Sequence, residues 1–298
     1  MTRRAGLTLA LGLALSFAGG GAFARCEDWV PQPKPQNADR DYVGQTLDEI
    51  LDRGFVEFAV YEDFPPWSHR AGGAAIGIDV EIGRLIAEEM GVAPRFRLVA
   101  AGEDLAADLR NWVWKGPVVG GSVANVMLHI PYDSAFTCRV EQVMFTGLYG
   151  VETLAVAYDA GVFGTEGPGP AMFRMHRVGV ENDSISDFYL SAMAGGQLGP
   201  NISRYPTTEA AMAALAMGEV TAVMGPRAQL EAELGRALVH VPPFPGLMKP
   251  DWALGLAVHH SHRDLGYMIE GIVAEAVADG RIAAIFEDHG LSWTAPEW

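Results

Sequence analysis

The chain has 298 residues, 49% of them hydrophobic, with 21 basic against 37 acidic side chains and a formal net charge of −16. That balance argues against a nucleic-acid or anionic-lipid surface; it suits a basic protein partner, a cationic ligand, or the plain need to keep an exported protein in solution. Beyond the N-terminus no stretch is long and apolar enough to cross a bilayer.

Arg3 and Arg4 precede an apolar run over about residues 5–17, a glycine cluster and Ala22-Phe23-Ala24, the three parts of a cleavable signal peptide. Residues 1–24 are therefore expected to be removed, leaving a soluble periplasmic chain. The mature chain is more acidic still, because the leader holds two arginines and no acid. Twin-arginine export and a lipid anchor on Cys26 are weaker readings: TRRAGLT lacks the flanking phenylalanine-leucine pattern, and Arg25 stands where lipidation needs a small residue. In an oxidising compartment Cys26 and Cys138 are expected to pair and staple the N-terminal segment to the first lobe; unpaired, Cys26 is available to cross-link two chains. Residues 25–45 alternate three prolines with little periodicity and read as an extended surface strap.

A short helix is predicted over 47–51 and a strand over 55–60, broken by the proline- and aromatic-rich EDFPPWS. Ile78, Ile82, Leu85, Ile86 and Met90 then recur at helical spacing, with Asp79 placed to cap the first turn and Gly91 to close the helix. A strand over 95–99 completes a βαβ unit, so the sheet is parallel and EDFPPWS is a loop at a strand's carboxyl end, where ligand crevices form. Next come a helix over 103–114, a glycine-rich excursion over 116–124, a buried strand over 125–130, and a turn and strand after Phe145. The βαβ pattern restarts with strands at 177–181, 202–205 and 220–224 and helices at 184–194 and 207–217. A proline cluster, a strand over 252–260, a helix through Leu265 to Ala276 and a last turn over 281–287 finish the chain. Two similar blocks with a return to the first predict an α/β protein of two lobes joined by two crossing strands: 25–150 plus 252–298, and 151–251. The cleft between them is the expected ligand site.

The ordered segments EDFPPWS, GIDVEIGRLIAEEMG, RVGVENDSISDFYL, YPTTEAAMAALAMGEVTAVM and WALGLAV resemble bacterial type II periplasmic solute-binding proteins of the polar amino-acid class. More narrowly, CEDWVPQPKPQNADRDYVG, NVMLHIPYD and the spacing to Arg139 resemble the J-component family encoded with quinone-dependent methanol dehydrogenases, the XoxJ and MxaJ type, with the XoxJ branch nearer. The resemblance implies a type II periplasmic-binding fold and an accessory to that enzyme, and leaves any ligand open.

The resemblance also implies site residues. Amino-acid binders of the class use an aromatic for stacking, an arginine for the carboxylate and an aspartate for the amine. Phe64 and Trp67 supply faces for a planar or cationic group, or lie buried beneath the pocket. Arg139 stands at the carboxylate-binding position, after a longer segment than usual, and Pro226, beside Arg227, stands where the amine-binding aspartate belongs. Ordinary amino acids are therefore expected to bind poorly. Asn182, Asp183 and Ser184 lead into a helix whose N–H groups either receive an anion or are simply capped. His129, Tyr132 and Asp133 follow the central strand and are expected to point into the cleft. His259, His260 and His262 invite a metal reading that strand alternation opposes, so no metal is expected.

No nucleophile elbow, paired-acid motif, phosphate loop or Cys-x-x-Cys is present, so no enzyme and no cofactor are expected. Two functions remain. One is an accessory that docks on a periplasmic, lanthanide-using quinoprotein methanol dehydrogenase and assists its maturation, with Trp29, Tyr42, Trp112 and Trp114 as candidate contacts, unless the last two fill the first lobe's core. The other is a receptor handing a small polar ligand to an ABC transporter.

Overall fold

The computed structural model describes residues 44–297. The leader, the strap with Trp29 and Tyr42, and Cys26 with its expected bond to Cys138 lie outside the described residues.

Thr46 opens α1 (Leu47–Arg53) with a reciprocal capping box to Glu49, and the chain enters β1 (Phe55–Tyr61). The segment predicted as a bare loop folds into a small antiparallel sheet, β2 (Asp63–Phe64), β3 (Ser68–Ala71) and β4 (Ala74–Ile76), turned by Gly72-Gly73. The helix α2 (Ile78–Glu89) buries the predicted stripe and leads to β5 (Ala93–Val99). Here one expectation is corrected: Gly77 occupies the cap position without a side-chain bond, and Asp79 is fully buried within the first turn. The helix predicted over 103–114 is α3 (Leu105–Leu109) followed by a π-helical turn over Arg110–Trp114.

Then come β6 (Val126–Tyr132), α4 (Ser134–Arg139) and β7 (Val143–Tyr158), a 16-residue strand that runs through both lobes. The second block holds α5 (Ala160–Phe163), β8 (Val178–Glu181), α6 (Ile185–Ala192), β9 (Ile202–Tyr205), α7 (Thr208–Ala216), β10 (Ala222–Pro226), α8 (Arg227–Ala232) and β11 (Leu238–His240). The chain returns through β12 (Asp251–His259), α9 (Arg263–Ala278) and α10 (Arg281–Asp288).

The main sheet runs β5-β1-β6-β12-β7-β10-β8-β9, with β11 also on β7. β1 pairs in parallel with β5 and β6, as β8 does with β9 and β10, so each lobe keeps its own βαβ sheet; β12 and β7 enter antiparallel between them. Along β7 the partner changes from β12, up to Thr153, to β10, from Leu154. The two blocks are thus two lobes, joined by β7 and by the return run into β12. Each has its own apolar core, one built on Ile78, Ile82, Ile86 and Leu256, the other on Val156, Val178, Phe173 and Met224.

Both flanks of β12 are bulged near Gly255. On β6 the register slips by one residue between Met127 and Ile130; on β7 it slips by two between Thr146 and Gly150. A bulge re-aims the side chains it carries, and these two turn His129 and Tyr149 toward Asp79.

Candidate functional site

The carboxyl ends of β1, β5 and β6 and the start of β12 converge on a cavity of about 960 Å³. Tyr61, Phe64, Tyr132 and Trp252 give it aromatic walls, Val99 and Leu105 add aliphatic surface, and Ile185 reaches in from the second lobe. Its lining also carries six carboxylates, Glu62, Asp63, Asp104, Asp108, Asp133 and Asp251, against one lysine, Lys249.

Most of the carboxylates are held by the fold. Asp108 is buried and accepts from Gly102 N (2.6 Å) and from the Tyr61 hydroxyl (2.8 Å). Burial, reinforced by Asp108, pushes the Tyr61 phenol well above its ordinary range, so Tyr61 stays a neutral donor. Asp104 caps α3 through Ala107 N. Asp133 caps α4 and is paired with Lys249, and the lysine, then the Phe136 N–H, hold its carboxyl below the usual range.

On the floor lies His129. Its backbone has φ 59°, in the left-handed region, and the residue is 8% exposed. The ring sits edge-on to Phe64 (4.9 Å between centroids) and tilted on Trp67 (4.6 Å), with Nδ1 3.3 Å from Asp79 Oδ2. The other Asp79 oxygen accepts from the Tyr149 hydroxyl at 2.8 Å. Burial and then Asp79 raise the Tyr149 phenol, so it too remains protonated. Tyr149→Phe leaves Asp79 Oδ1 buried without a donor and is expected to cost about 2 kcal/mol in chemical unfolding; an unchanged midpoint would refute this role.

A further buried carboxylate lies where β7 changes partners. Glu152, 4% exposed, accepts from Thr153 N (2.8 Å) and Ala228 N (3.4 Å) through Oε1, while Oε2 has no partner. Burial pushes it up to about 7, against the opposing pull of these N–H groups.

Of the residues picked from sequence, Phe64, His129, Tyr132 and Asp133 line the cavity. Trp67 does not: it is 2% exposed and packs beneath, between His129 and Phe286. Arg139 ends α4 exposed, its guanidinium 5.6 Å over the Phe136 ring and outside the lining. Ser184 caps α6 by accepting from Asp187 N (3.2 Å), and Asn182 donates to Asp183 (2.7 Å), so the capping alternative describes this turn. Arg227 is turned to Glu231, with Nε 2.7 Å from Oε1. Trp112 and Trp114 pack against the core of the first lobe with both indole nitrogens buried.

Sequence reasoning missed Tyr61, Asp108, Trp252, Asp79, Tyr149 and Glu152. Tyr61 was legible as the residue ending a parallel strand; the inward turn of Tyr149 depends on a bulge that no local pattern announces.

No family model matches the chain, and no curated protein matches it. Solved structures do. An ancestral cationic amino-acid solute-binding protein superposes with a TM-score of 0.65 at 16% identity, over 82% of this chain and 99% of its own. An amino-acid ABC transporter substrate-binding protein from Streptococcus pneumoniae, bound to L-arginine, gives 0.57 at 16% identity over 84% and 100%. The L-cysteine solute receptor of Neisseria gonorrhoeae gives 0.54 at 21% identity over 82% and 93%. The chain therefore has the two-lobed fold of the type II periplasmic binding proteins.

Proposed function

We propose that this chain is a periplasmic binding-protein body that has given up amino-acid capture and serves a protein partner, a lanthanide-using quinoprotein methanol dehydrogenase, as an accessory in its maturation or activation. The observation that carries the first half is the pair of positions where the fold's amino-acid binders hold their ligand. Arg139 lies outside the cavity lining, and Pro226 supplies no carboxylate. A zwitterion entering this cleft meets six acids and a lysine already engaged by Asp133. Support for the partner comes from the sequence resemblance to the J-component family and from the acidic surface. The lobes divide near Val151 and Trp252, so that β7 and the run into β12 form the hinge. Deleting the gene is expected to lower the activity and cofactor occupancy of the dehydrogenase in cells; full activity and occupancy without it would refute the role.

A second reading, a receptor handing a small polar ligand to an ABC transporter, is the one that the structural neighbours favour, since they are solute receptors for amino acids, and the roomy aromatic cavity supports it. On either reading the chain binds rather than catalyses.

A further inference from the structure

The cavity's charge and its floor each point to the same ligand chemistry. Carboxylates set in a cleft with low-dielectric walls focus a negative potential into it, and two of the six, Asp63 and Asp251, have neither an ion pair nor a side-chain hydrogen bond among the described residues. Anions are repelled, the carboxylate of any amino acid included. The walls, by contrast, offer the faces and edges of Tyr61, Phe64, Tyr132 and Trp252, which accept an apolar body and attract a cation.

His129 is the independent observation. It is more than nine-tenths buried, lines the cavity, and its Nε2 makes no hydrogen bond among the described residues. Nδ1 lies 3.3 Å from Asp79 Oδ2 and 3.5 Å from the Tyr149 hydroxyl, so the tautomer with its proton on Nδ1 leaves Nε2 as an acceptor. A left-handed backbone at a non-glycine residue is strained and persists where the surroundings over-determine it. Here the β6 bulge, two aromatic neighbours and a buried carboxylate all fix this one ring.

We infer that the cleft binds a carboxylate-free organic ammonium ion, its N–H groups donated to His129 Nε2 and the surrounding carboxylates, its apolar body laid against the aromatic walls. This deepens the small-ligand reading above and is independent of the protein-partner one.

Isothermal titration of the full chain with phenethylamine, hydrocinnamate and L-arginine separates charge, shape and carboxylate. Phenethylamine is expected to bind with a sub-millimolar Kd that weakens as salt is raised. Hydrocinnamate, with the same body and the opposite charge, is expected to give dilution heat alone, and so is L-arginine, which carries a carboxylate. Asp251→Asn, at an exposed position, is expected to weaken amine binding about tenfold without changing the fold, and His129→Gln to weaken it further. Should His129→Gln fail to fold, Asp251→Asn still decides. Equal affinity for amine and carboxylate, silence toward the amine, binding of L-arginine, or indifference to Asp251→Asn would each overturn the inference. A chain silent toward amines that still restores the dehydrogenase removes this inference and leaves the accessory role; a chain that binds amines and leaves the dehydrogenase unaffected does the reverse.

Discussion

Trp67→Ala is expected to destabilise the protein by about 4 kcal/mol, the scale of deleting a large buried aromatic from a core. The indole is almost fully buried, with ring neighbours at 4.6 Å (His129) and 5.7 Å (Phe286). The same residue starts the first turn of α2, because its carbonyl accepts from Asp79 N at 2.9 Å. Thermal unfolding should therefore show a drop of many degrees, while Phe64→Ala, half-buried on the cavity wall, should lower the transition far less. An unchanged melting transition with lost ligand binding would return Trp67 to the role that its place in EDFPPWS suggests.

Glu152→Gln should stabilise the protein at high pH and leave it nearly unchanged at pH 5, where the small remaining gain offsets the cost of the amide's unpartnered N–H groups. A folded-state value of about 7 against an ordinary 4.5 means the native state holds this proton more tightly than the unfolded chain does. Between those values the native state binds more protons, so stability falls as pH rises from 4.5 to 7 and is level above. A shift of that size corresponds to about 3 kcal/mol. The amide's own unpartnered N–H groups return part of it, leaving a net gain of about 2 kcal/mol at pH 8. Urea midpoints at pH 5 and pH 8 measure the difference: wild type and variant should coincide at the lower pH and separate at the higher. The same separation at both would show that Glu152 does not titrate where burial places it. Beside it Val151 N donates to Thr294 O and Trp293 Nε1 to Tyr149 O, tying the C-terminal segment across the same stretch of β7.

The two-block architecture was legible because the evidence for it is local. Helices such as α2 and α7 show their apolar spacing within a dozen residues, and parallel strands follow from the βαβ order. The small β2–β4 sheet was missed although Gly72-Gly73 between SHRA and AAI is a hairpin signal; the prolines nearby dominated the reading. Phe64, Tyr132 and Asp133 were found because residues at strand ends line crevices. The floor was only partly legible. His129 was placed at a strand end, but its link to Asp79 and Tyr149 joins three elements through register slips on either side of β12. Asp79 was mistaken for a cap because an acid in a first turn usually is one; here it is buried and turned to Tyr149 of β7 and His129 of β6 instead. Arg139 matched its family position by spacing alone, and the exposed end of α4 carries it away from the cavity.

Titration of the full chain with the standard amino acids, monitored by calorimetry and by small-angle scattering for lobe closure, asks whether the cleft still grips a zwitterion. Dilution heats and an unchanged radius of gyration across the series are expected, with Arg139→Ala indistinguishable from wild type. A sub-millimolar amino acid that closes the lobes, and loses its affinity in Arg139→Ala, would contradict the loss of amino-acid capture.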